Sequence, residues 1–292
     1  MTHAPGPIEP TRTMTIAGGL YAEVFLPAGA AAGSAKGVVL VSHGYAEHCG
    51  RYREVAHVIV NAGWAALTYD IRGHGHSPGA RGFIERFDMY IDDLRAAADA
   101  ARQLAPDAPL VLLGHSHGGL ITLRALCGDR PIEASHAIIS SPYLELQLKV
   151  PAYKKLLARI ASKVAPGLDQ PSNLRAEQLT QDPAKQAEWA ADQLNFPTAN
   201  ARWFTEALDA QAYVAAHASR IQIPTTWLVG GADPVCVPAA TKRIAARVPN
   251  ATYHDLVGLR HEVFNETERA TVFAEVTGVL DRCARASTAQ SA

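Results

Sequence analysis

From residue 38 onward the chain alternates short apolar runs with longer segments whose apolar residues recur at helical spacing. The runs at 38–42, 64–69, 110–113 and 137–139 predict buried strands. The stretches at 52–61, at 88–104 and directly after Ser116 predict helices. Strands and helices taking turns in this way predict an α/β fold, a mostly parallel sheet covered by helices on both faces. Ahead of it, the apolar residues at 14–16 and 20–26 flank Gly18 and Gly19 and predict a hairpin. The small residues at 28–35 read as a surface loop.

The alternation stops after Pro142. Between residues 144 and 218 there is helical patterning punctuated by Pro151, Pro166, Pro171, Pro183 and Pro197, and no clear strand. A strand at 225–229, a helix at 239–247, a strand at 252–256 and a helix at 263–282 then resume the pattern. We therefore expect a core formed by 1–142 and 219–285, a helical cap at 143–218 inserted before the last two strands, and a disordered tail at 286–292. Ligands bind at the carboxyl ends of the strands in such sheets, so this cap would roof the site.

Charge narrows the function classes. The 27 Lys and Arg against 28 Asp and Glu leave a net charge of −1, which offers no field for nucleic acid. With 48% hydrophobic and 19% charged residues the composition is that of an ordinary globular chain. The first ten residues lack the apolar core of a signal peptide, and no apolar run is long enough for a membrane span. Cys49, Cys127, Cys236 and Cys283 are scattered, which predicts a reduced cytoplasmic protein without a zinc knuckle.

The candidate chemistry begins where the strand at 110–113 runs into Gly114-His115-Ser116-His117-Gly118. A serine between two glycines, after a strand and before a helix, is the pattern of a nucleophile held on a tight turn. Its hydroxyl needs a base, and the base an orienting acid. Asp233 follows the strand at 225–229 and His261 follows the strand at 252–256. The order Ser116, Asp233, His261 is the one an α/β-hydrolase requires. Acyl transfer also needs donors for the oxyanion, for which we expect the backbone N–H groups of His117 and Tyr45. His254 lies within a strand and reads as structural, while Asp255 and Glu262 are rival acids in less suitable places. The pairs His74/His76 and His115/His117 have metal-like spacing but no supporting ligand, so no metal or other cofactor is expected. Cys236, three residues past Asp233, reads as a small buried filler.

The motifs His43-Gly44-x-x-Glu47-His48-x-Gly50-Arg51-Tyr52 and Asp70-x-Arg72-Gly73-His74-Gly75-x-Ser77 extend the pattern. So do Gly114-His115-Ser116-x-Gly118-Gly119, Gly231-Ala232-Asp233 and His261-Glu262-x-x-Asn265-Glu266. Together they resemble the monoacylglycerol lipase and lysophospholipase branch of the α/β-hydrolases, a group also labelled serine aminopeptidase-like. The likeness runs from about residue 36 to residue 266 and is poorest in the cap. It implies a serine hydrolase of single-chain acyl esters with Ser116, Asp233 and His261 as the triad and Tyr45 and His117 as oxyanion donors. It also implies that Glu47 and Arg51 line the glycerol end of the pocket. His117 stands where a methionine is common, and Tyr45-Ala46 replaces smaller residues.

The expected function is hydrolysis of a lipid ester by water, most simply a monoacylglycerol. Lysophospholipids, small carboxylic esters, an aminopeptidase-like substrate and a silent ligand-binding role stay open. In the cap, Tyr153, Leu156, Leu157, Ile160 and Val164 share one helical face, with Lys154, Lys155, Arg159 and Lys163 mostly elsewhere. The plainer expectation is that this apolar face packs on the hydrolase body. The alternative is weak peripheral contact with a membrane.

Overall fold

The computed structural model describes residues 4–29, 33–148, 150–172 and 174–291, side chains at 155, 290 and 291 excepted. In chain order the core opens with β1 (Arg12–Ile16), β2 (Leu20–Phe25), β3 (Val38–Ser42), α1 (Arg53–Asn61), β4 (Ala65–Tyr69) and α2 (Asp88–Arg102). It continues with β5 (Leu110–His115), α3 (Ser116–Leu126) and β6 (His136–Ser140). The cap holds α4 (Ala152–Val164), β7 (Asp169–Pro171), α5 (Ala176–Leu179), α6 (Pro183–Ala191), β8 (Thr198–Asn200) and α7 (Ala201–His217). The core closes with β9 (Thr225–Gly230), α8 (Pro238–Ala245), β10 (Ala251–Leu256) and α9 (Arg269–Ser291).

Among the described residues one sheet runs β1-β2-β4-β3-β5-β6-β9-β10, parallel from β4 to β10, with the β1–β2 hairpin antiparallel at one edge. Side chains alternate between its faces, so a fully apolar strand feeds two cores. Val38, Leu40, Leu112 and Ile139 pack under α2 and α3, while Val39, Val41, Leu113 and Ile138 pack under α1 and α9. The helix α7 joins the first of these cores through Trp203, Ala207, Ala210 and Val214, which ties the cap to the body.

Four sequence expectations need correction. The cap contains a strand pair, β7 with β8, each of three residues and too short to show a period. The last α-helix begins at Arg269; Val263–Asn265 form only a single 3-10 turn, beyond which the buried Glu266 carboxylate accepts the N–H groups of Arg260 and Gln181. The tail expected to be disordered from 286 continues α9 to Ser291, through a run of Ala, Ser, Thr and Gln without a breaker. Residue 292, like 30–32 of the expected loop and 1–3 of the N-terminus, lies outside the described residues.

The fourth correction concerns α4. It packs on α7, where the Ser162 hydroxyl accepts a hydrogen bond from Thr205 and Arg159 pairs with Asp209. The apolar stripe is left outside: Tyr153, Leu156, Ile160 and Val164 are 61, 60, 51 and 77% exposed. Among the described residues no helix is long and apolar enough to cross a membrane.

Candidate active site

Ser116 begins α3 with φ at +49°, in the left-handed region that a residue with a side chain normally avoids. The strain is held by close packing. A Cβ on Gly114 would lie 2.6 Å from the Gly118 carbonyl, and one on Gly118 would lie 2.2 Å from the Ser42 carbonyl. Strand, turn and helix can meet this tightly only with glycine at both places. Among the described residues the other non-glycine left-handed positions are Ala46 and Ser141, both in loops at the same end of the sheet.

The loops after β9 and β10 bring the other two residues to this turn. His261 stands between them, Nε2 2.9 Å from the Ser116 hydroxyl and Nδ1 2.7 Å from Asp233 Oδ2. The second Asp233 oxygen accepts the N–H groups of Val235 and Cys236 at 2.7 and 2.9 Å, so its orientation is set by backbone. A carboxylate on Nδ1 fixes the proton there and leaves Nε2 bare toward the hydroxyl. Asp255 is exposed and His254 lies against Glu275, away from the serine.

The loop after β3 is pressed against α3 by the Gly118 N–H, which donates to the His43 carbonyl at 3.0 Å. His43 Nε2 accepts the Ile71 N–H, so Nδ1 carries the proton and donates to the Gly44 carbonyl. Burial pushes its pKa down to about 3, which keeps this buried brace neutral. Tyr45 follows, beside His117 at the first turn of α3, where helix N–H groups lack intrahelical partners. The Asp70–Ser77 motif buttresses the loop, with the Asp70 carboxylate accepting from Cys49 and His76 N–H groups.

A cavity of about 630 Å³ opens over Ser116 between body and cap. Tyr143, Leu146, Leu157, Leu179, Trp203 and Val235 are among the residues lining it.

A family described as serine aminopeptidase, S33, matches residues 33–268. The chain belongs to this family. It is 32% identical over 83% of its length to a monoacylglycerol lipase of Mycolicibacterium smegmatis, covering 87% of that protein. It is 30% identical over 84% of its length to the phospholipase YtpA of Bacillus subtilis, covering 95% of it. The crystal structure of a Paleococcus ferrophilus monoacylglycerol lipase superposes with a TM-score of 0.80 at 26% identity, over 89% of this chain and 98% of that one. The fold is that of the α/β-hydrolases.

Within this S33-family site, Glu47 and Arg51 are among the residues that line the cavity, and their polar atoms are already engaged. Glu47 accepts from the Gly44 N–H, the Tyr52 hydroxyl at 2.8 Å and Arg51. Arg51 also holds Glu262 at both carboxylate oxygens. Burial works to raise the Glu262 pKa, yet the guanidinium overrides it and leaves the carboxyl down at about 2. For His261 burial works to lower the pKa, and Asp233, with Glu262 and Glu47 behind it, outweighs that and holds it above the ordinary 6.5.

Cys236 is buried beside Asp233 and His261, with burial holding its thiol protonated. Sequence reasoning missed the part of Glu262, although the His261-Glu262 pair was visible. It gave no part to Glu266, visible in the same motif, whose two oxygens tie the His261 loop to the cap, and it missed Tyr143, whose N–H donates to the Ser116 carbonyl at 2.9 Å.

Proposed function

We propose that this chain hydrolyses the ester of a single acyl chain, with monoacylglycerol as the substrate, through an acyl-enzyme on Ser116. The observation that carries this reading is His261 joined at once to Ser116 and Asp233 at the floor of an apolar cavity of ligand size. Names borne by the relatives support it, since both the Mycolicibacterium smegmatis and the Paleococcus ferrophilus protein are monoacylglycerol lipases.

In this mechanism Ser116 Oγ attacks the ester carbonyl while His261 Nε2 takes its proton and Asp233 steadies the imidazolium. The N–H groups of Tyr45 and His117 hold the tetrahedral oxyanion. Collapse expels the alcohol, protonated by His261, and a water activated by the same imidazole releases the acid. No cofactor takes part. Glu47 and Arg51, paired with each other, offer the alcohol a polar wall.

Peripheral docking on a membrane belongs to the same reading. Support comes from the exposed stripe Tyr153, Leu156, Ile160 and Val164 on α4, with Lys154 beside it at the cavity lining.

The test is a substrate panel of monoacylglycerols, lysophospholipids and p-nitrophenyl esters of rising length. A buried acyl chain gains about 0.8 kcal/mol per methylene, so kcat/KM should climb with length and be highest for monoacylglycerol. A maximum at acetate overturns the lipid reading; a maximum on lysophospholipid moves the alcohol from glycerol to a phosphodiester.

A further inference from the structure

One side chain of the cap touches three of the residues that frame the serine. Trp203 lies in the first turn of α7, buried, with its N–H accepted by the capping Asn200 side chain. Its indole stacks on the Tyr45 ring at 3.6 Å between centroids and 22° between planes. Its Nε1–H donates to His117 Nε2 at 3.4 Å. It also lies parallel to the Tyr143 ring, 5.6 Å away at 11°.

These contacts are specific in chemistry. An indole N–H only donates, so His117 must present a bare Nε2, which requires a neutral ring. Burial, with His74 and His43 nearby, keeps it neutral. Tyr45 is meanwhile gripped from both sides. Its hydroxyl donates to the Gly82 carbonyl at 3.2 Å, where a Cβ on residue 82 would collide with it. Phe196 of the cap meets its ring at 5.4 Å and donates its N–H to the Ala46 carbonyl at 3.2 Å. Two residues on, His48 Nε2 meets Asp192 of the cap at 2.7 Å.

We propose that Trp203 is a positioning residue for the oxyanion hole, setting from the cap the spacing between the Tyr45 and His117 N–H groups. This rests on the reading of those two groups as the oxyanion donors. Oxyanion donors act over a few tenths of an ångström, and a displacement of 1 Å costs about a hundredfold in rate. A side chain that locks Tyr45 against His117 therefore acts on turnover without touching the reacting atoms. The hole is then complete only when cap and body are docked.

The experiment compares p-nitrophenyl butyrate with its thiono analogue, whose sulfur is a weak hydrogen-bond acceptor and draws little from the hole. Trp203→Ala should lower kcat for the oxoester about a hundredfold, with KM little changed and the thionoester slowed far less. Trp203→Phe keeps a stacking ring and loses the N–H, so its oxoester kcat should fall severalfold, again with the thionoester spared. Equal loss on both esters, or an unchanged oxoester kcat, overturns the proposal. If circular dichroism shows Trp203→Ala unfolded, Trp203→Phe decides by the same two criteria. A parent enzyme with no preference for the oxoester would instead refute the hole itself, whatever Trp203 does.

Discussion

Arg51 holds both oxygens of Glu262, Nη1 on Oε1 at 2.7 Å and Nη2 on Oε2 at 2.8 Å, directly beside the imidazole that meets Ser116. The pair is buried, and Glu47 completes it as a carboxylate–guanidinium–carboxylate triad. Its net charge is negative, and His261 feels that field in addition to Asp233.

The first consequence is a pH profile. A general base works unprotonated, and a raised pKa means protonation begins at higher pH. The acid limb of kcat/KM should therefore lie above pH 6.5, the ordinary imidazole value. Glu262→Gln removes one of the charges that raise it, so the limb should move to lower pH. A limb that stays in place in the variant separates Glu262 from the base.

Removing Arg51 leaves two buried carboxylates without their shared cation. Arg51→Met should cost about 3–5 kcal/mol near pH 8, measured by chemical unfolding. The loss should shrink toward pH 5, because Glu47, whose pKa burial already raises, can take up a proton and end the repulsion. Equal destabilisation at both pH values contradicts this account.

Ser116→Ala removes the nucleophile and little else. It should lower kcat on the order of 10⁶-fold while leaving the fold intact by circular dichroism. It also frees the α3 turn of no strain, since alanine is no more at ease at φ +49° than serine. A folded variant that has lost only severalfold places the nucleophile elsewhere.

Leu156→Glu puts a charge in the middle of the exposed stripe on α4. Sedimentation with anionic liposomes should fall sharply for the variant, while hydrolysis of a water-soluble short ester is unchanged. Failure of the parent protein to sediment ends the membrane reading.

By itself the sequence showed the strands from which the sheet is built, the turn that carries Ser116, and the loops after later strands in which Asp233 and His261 stand. These signals are local. A short apolar run marks a strand buried on both faces, glycines mark a tight turn, and a residue just past a strand end is already at the site's edge. The cap strands and the turn at 263–265 escaped because each is only a few residues long. The direction of the α4 stripe was likewise illegible: amphipathic spacing shows that a face is apolar, not whether protein covers it.

What only the tertiary structure decided are the meetings of distant side chains. Arg51 with Glu262 and Trp203 with His117 are 211 and 86 residues apart. No periodicity encodes such pairs, because the first depends on how two loops of the body meet at the end of the sheet and the second on how the cap settles on that body, and both are fixed by packing over whole interfaces.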